Sequence, residues 1–90
     1  MSISIKIVSN NEYEVTVKSK TVTTHLVALS DEVHEKLTKE KVTKKELLDF
    51  SFKFLLDREP NTSILSFFEL TVIPRYFSDY EKSVKKWCSS

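Results

Sequence analysis

The sequence predicts a small α+β domain, with the sheet first and the helices after. Three observations predict it. Residues 2–29 alternate apolar and polar side chains with a period of two, as strands with one buried face do. From residue 30 onward the apolar spacing lengthens to three and four, and Ser or Thr stands where helical stretches open. No repeat, low-complexity run or linker divides the 90 residues, so 1–90 reads as a single domain.

The first strand covers residues 2–8, with Ile3, Ile5 and Ile7 on one face and Ser2, Ser4 and Lys6 on the other. Ser9-Asn10-Asn11 is a turn, because Asn tolerates the left-handed region and bonds its own backbone. Residues 12–19 alternate again, setting Tyr13, Val15 and Val17 against Glu12, Glu14, Thr16 and Lys18. After a tight turn, residues 21–29 form a third strand rich in β-branched residues. It sets Val22, Thr24, Leu26 and Ala28 against Thr21, Thr23, His25, Val27 and Leu29. The product is a three-stranded antiparallel β-meander with one face wanting cover.

Ser30 caps a helix over residues 31–39, with Asp31 and Glu32 at its positive end. Its apolar stripe is thin, so it lies on the surface. Thr43-Lys44-Lys45-Glu46 is a capping box for the main helix, 43–58. Leu47, Leu48, Phe50, Phe52, Phe54, Leu55 and Leu56 cover well over half its circumference, so more than one side must be buried. One side suits the sheet and the other suits another element or another subunit. Pro60 stops the helix. Short helices follow over 64–68 and 70–77, the second broken by Pro74. Ser78-Asp79-Tyr80-Glu81 reads as a second capping box, opening a last helix over 79–87.

Composition narrows the chemistry. Glycine is absent, which excludes at motif level the phosphate-cradling loops and the nucleophile elbow, both of which need close backbone approach or positive φ. Any left-handed position must fall to Asn, Asp, Lys or a similar residue. The net charge is +1 and evenly spread, so nothing draws the whole chain toward nucleic acid or an anionic membrane. The single cysteine, Cys88, allows no disulfide within the chain and suits a reducing compartment. The start, MSISIKIV, lacks the apolar core of a signal peptide, and no run approaches the roughly 20 apolar residues of a membrane helix. The expected location is cytoplasmic, with no membrane partner.

The residues offer no catalytic or metal constellation. His25, His34 and Cys88 sit on a strand, a helix and the tail, without paired spacing. His25, mid-strand among Thr residues, reads as a sheet-surface residue. Glu32–Lys36, Glu35–Lys39 and Asp49–Lys53 read as solvated ion pairs. The sequence therefore predicts no enzyme and no cofactor. Aromatics cluster in the second half on predicted helices rather than interleaved with basic residues, so they read as packing rather than as base-stacking platforms. Their number predicts a homodimer or another protein partner. The candidate interface residues are Phe50, Phe54, Phe67, Phe68, Tyr76 and Trp87.

Two resemblances bear on function. Residues 21–58, with VALSDEVHEKL followed by VTKKELLDFSFKFLL, resemble a ribbon-helix-helix module of repressors and antitoxins. That resemblance implies strand pairing across a dimer, insertion into the major groove and a phosphate held at the second helix N-terminus. The candidate anion-binding residues are then Thr43, Lys44, Lys45 and Lys41. The segments FLLDREPNTSIL and RYFSDYE resemble a family of short uncharacterised bacterial proteins, which implies no activity. Within them, Arg58 or Arg75 is placed to pair with Glu59 or Asp79. The strand at 21–29 carries no Arg, Lys, Asn or Gln to read a base edge. The first expectation is therefore a non-enzymatic cytoplasmic protein acting through protein contacts. The alternative is a ribbon-helix-helix-like DNA-binding regulator.

Overall fold

A computed structural model describes residues 2–89. The strands are β1 (Ser2–Ser9), β2 (Glu12–Lys18), β3 (Val22–Ala28) and β4 (Phe67–Glu69). The helices are α1 (Asp31–Thr38), α2 (Lys44–Leu56), α3 (Ile73–Tyr76) and α4 (Tyr80–Cys88). Single 3-10 turns occupy Asn61–Ser63 and Leu70–Val72.

The first three strands form the expected antiparallel meander. Ile5 lies opposite Val15 and Val15 opposite His25, so the alternating apolar sets fall on one face. Tyr13, Val15 and Val17 of β2 are buried, as is Val27 of β3.

The sheet has a fourth strand, in the order β1-β2-β3-β4. The helix expected over 64–68 is replaced by an extended segment, in which Phe67–Glu69 runs parallel to β3 with Leu26 opposite Phe67. The physical reason is the free edge of β3, whose peptide groups need partners. The Leu26 amide takes the Ser66 carbonyl at 2.8 Å. Ile64 and Phe68 are four apart, but extended backbone also turns both inward, and both are buried.

Helix α2 covers the sheet with Leu47, Leu48, Phe52 and Leu55, all within the single core cluster. Its capping box is formed: Glu46 N–H donates to Thr43 Oγ1 at 3.1 Å, and Thr43 N–H donates to Glu46 Oε1 at 2.8 Å. The expected wide apolar arc is there, and its second side is covered from within the chain by α4. The Tyr80 ring meets Phe54 edge-on at 5.3 Å, and Phe50 stacks on Trp87 at 4.4 Å. Ser51, an interior serine, donates to Leu47 O at 2.7 Å and accepts from Tyr80 Oη at 2.6 Å. Burial pushes the Tyr80 phenol well above its ordinary range, with the Ser51 bond opposing only in part.

Two expected details do not form. No side-chain cap closes α4, because the Asp79 carboxylate goes to Arg58 Nη2 at 2.6 Å instead. The guanidinium also lies over the Phe54 ring, 3.6 Å from its centroid, and donates to Phe54 O at 3.1 Å. Of the three helical ion pairs, Asp49–Lys53 closes at 2.8 Å. Glu35–Lys39 does not form because Lys39 has already left the helix at φ 53°. Lys39 and Glu40, at φ 53° and 60°, take the left-handed positions that glycine would ordinarily fill. Thr38 steadies them: its hydroxyl donates to His34 O and accepts from Glu40 N–H. As Pro74 requires, 70–77 is a broken pair of turns.

Candidate functional site

A concavity with apolar walls lies where the end of α2, the 61–66 segment and the 70–77 turns meet. It measures about 370 Å³, within the range of ligand and side-chain pockets. Leu55, Ile64, Phe68 and Ile73 form the walls. Leu65 and Tyr76 stand at the lip, 52 % and 74 % exposed. The polar members are Glu59 and Ser63. Glu59 has no ion-pair partner among the described residues.

The back of this region is held by a buried polar chain. His25 is 2 % exposed, which corrects its expected place on the sheet surface. Its Nδ1 lies 2.8 Å from Leu65 O and its Nε2 lies 2.8 Å from Thr23 Oγ1. One tautomer satisfies both: Nδ1–H donates to the Leu65 carbonyl and Nε2 accepts from the Thr23 hydroxyl. Asn61 Nδ2 donates to Thr23 Oγ1 at 3.0 Å and to Thr21 O at 3.1 Å. The imidazole also packs against Phe52, with centroids 5.4 Å apart. These bonds fasten 61–66 to β3 and so fix one wall of the groove. The residues lie beneath it and hold its shape; they do not converge on a solvent-facing atom. The sequence carried a signal for this, since strict alternation sets His25 on the same face as Val27 and Leu29.

The candidate anion-binding residues do gather at the α2 N-terminus, where the chain's own groups already occupy the Thr43 and Glu46 amides and one of the lysines. Glu46 takes the Thr43 amide. Lys44 Nζ pairs with Asp31 at 2.6 Å and donates to Asn10 O at 3.1 Å. That contact holds the Asp31 carboxyl below its ordinary range, through the hydrogen bond and then through charge. Lys45 is exposed and Lys41 lies at the α1–α2 turn; burial pushes the Cys88 thiol up, and the Lys41 charge opposes this only in part.

The candidate interface residues separate into three groups. Phe54 and Phe68 are 6 % exposed and belong to the core, so they are not available to a partner. Phe50 and Trp87 are half-buried against each other near β1. Phe67 and Tyr76, at 63 % and 74 %, remain in the open.

β3 has β2 along one edge and β4 beside Leu26–Ala28 on the other. A ribbon shared across a dimer would require one of those edges. Among the described residues no cluster of three or more His, Cys, Asp or Glu could hold a metal ion, and no helix is long and apolar enough to cross a membrane. Comparison with family models, with curated proteins and with solved structures returned no match.

Proposed function

We propose that this chain is a non-enzymatic cytoplasmic protein that works through protein contacts, with the groove beside β4 taking an apolar segment of a partner. The observation that carries this is the lip of the groove. Leu65 and Tyr76 are open to solvent around a concavity walled by aliphatic and aromatic side chains. Large aromatic anchors around a pocket are what protein interfaces concentrate. The outer edge of β4 is unpaired among the described residues, so an extended segment can add its backbone there while a side chain enters the groove. The unpaired Glu59 favours a Lys or Arg near that side chain. The lone cysteine fits a reducing compartment.

The regulator reading has less support: β2 pairs along one edge of β3, β4 takes Leu26–Ala28 of the other, and Lys44 is tied to Asp31. The test is selection from a displayed library of extended peptides. Sequences with an apolar anchor flanked by Lys or Arg are expected, with binding lost on Tyr76→Ala and on Leu65→Glu. Selected peptides indifferent to both substitutions would sink the groove. A salt-sensitive shift of duplex DNA, abolished by Lys41→Glu plus Lys45→Glu, would favour the regulator instead.

A further inference from the structure

We propose that a second copy of the chain joins the sheet at β1, antiparallel and about a two-fold axis through Ile5, making one continuous eight-stranded sheet. This surface lies at the opposite end of the sheet from the groove and stands independently of it.

β1 is a terminal strand of eight residues, paired to β2 on one side alone among the described residues. Natural edge strands are usually protected by proline, by a bulge, by shortness or by inward charge. β1 has none of these along its middle. It contains no proline, its single charge, Lys6, lies on the outward set, and its register shift falls at the very end, between Ile7 and Ser9. Its inward set is Ile3, Ile5 and Ile7. The fold half-buries Ile3 and Ile5 and leaves Ile7 at 56 % exposure, although the residue opposite it, Tyr13, is 7 % exposed. An inward-facing isoleucine left in the open is what an absent neighbouring strand would cover.

The occupant is a second copy because the strand is complementary to itself. Centring the two-fold on Ile5 sets Ile5 against Ile5, Ile3 against Ile7, Ser4 against Lys6 and Ser2 against Val8. Every apolar inward residue then meets another, and Lys6 meets a serine. Moving the centre to Lys6 sets two ammonium groups against each other. Moving it to Ser4 leaves Ile7 with nothing opposite it in the strand. Like charges directly opposite destabilise a pair, whereas β-branched pairs stabilise it. Antiparallel pairing over this length forms about six new backbone hydrogen bonds.

Beside the strand lies a cleft of about 430 Å³ lined by Ile3, Ile5 and Trp87 and edged by Lys45, Glu46 and Asp49. An edge carrying both signs is compatible with its own image under a two-fold axis, which an edge of one sign would not be.

The test is done on the full chain. Sedimentation equilibrium is expected to give twice 10.5 kDa, and Ile5→Lys is expected to return the monomer. In a Cys88→Ser background, Ile5→Cys alone is expected to form a covalent dimer on mild oxidation, because opposed residues stand within disulfide reach. Ile3→Cys alone is expected to give little, and a mixture of Ile3→Cys and Ile7→Cys chains is expected to cross-link. The unsubstituted chain offers a second readout, an inter-chain contact between Ile5 α-protons in a mixed-isotope sample. A monomer at millimolar concentration overturns the proposal, as does a dimer lacking that contact and cross-linking best through another position.

Discussion

At the β4 end of the sheet, the approach to the last strand is fastened by buried polar bonds. At the β1 end, the last strand has Ile3 and Ile5 half-buried and Ile7 in the open. The β4 end is closed by the chain from Asn61 through Thr23 and His25 to the Leu65 carbonyl, and no buried side-chain polar atom among the described residues lacks a partner. The β1 end has no counterpart, and its outward edge carries backbone groups alone. The contrast teaches that a three-residue strand can hold an edge when side chains from the neighbouring strand hold its approach. An eight-residue strand, left without such bonds, presents a template.

The contrast is broken most strongly by His25→Ala. It removes the ring packed on Phe52, takes away the acceptor of the Thr23 hydroxyl and leaves the Leu65 carbonyl without the imidazole donor. A loss of about 3 kcal/mol is expected from urea denaturation. In the same assay Ile7→Ser, at the other end, is expected to stay within about 0.5 kcal/mol when measured on the monomer. Equal costs at the two positions would erase the distinction.

Tyr80→Phe comes next, at about 1–2 kcal/mol, since it leaves buried Ser51 without its donor. This phenol titrates higher in the folded chain than its ordinary value of 10.0. Its contribution is therefore fully present below pH 10 and is lost as the pH rises further, when the unfolded chain ionises first. The alkaline limb of a stability profile is expected to flatten in Tyr80→Phe.

Lys39→Gly acts at neither end and serves as a reference. It relieves a left-handed position and is expected to stabilise by about 0.5–1 kcal/mol, read as a raised denaturation midpoint. The smallest effect belongs to Asp31→Asn. The folded carboxyl titrates below its ordinary value of 3.8, so the Lys44 contact stabilises above that pH and fades as the pH falls. Because Asp31 is exposed, only a slight loss of acid sensitivity is expected in an acid titration.

Much of the first half was legible in the residues. Alternation gave the three strands and their facing sets, and Thr43 with Glu46 gave the start of α2. Arg58 found one of its two anticipated partners, Asp79. What escaped depends on distant pairing. Phe67–Glu69 becomes a strand because β3 has an edge to fill, and nothing within 64–68 announces that edge. His25 was assigned to the surface because its partner carbonyl lies 40 residues away in sequence. The second face of α2 was open to another element or another subunit, and Tyr80, Val84 and Trp87 of α4 are the element that covers it, to an extent that cannot be judged from the helix alone. Of the candidate site, Phe67 and Tyr76 stayed exposed. The groove itself was not legible, because its walls come from three segments that only folding brings together.

The parallel pairing of β3 with β4 also fixes an order of assembly. Neighbouring strands β1, β2 and β3 meet through short turns and form from local contacts. β4 reaches β3 only after two helices and the chain between them are laid down, so its docking closes a long loop and belongs to the late part of folding. The same connection, held by three residues of strand and a few polar bonds, is the natural place for sub-global opening. When it opens, the Leu26 amide loses its bond to Ser66 and exchanges with solvent, while Val15, deep in the meander, stays protected. The groove is therefore expected to rest on a late-forming and readily opened unit, and a partner seated there would clamp the sheet shut.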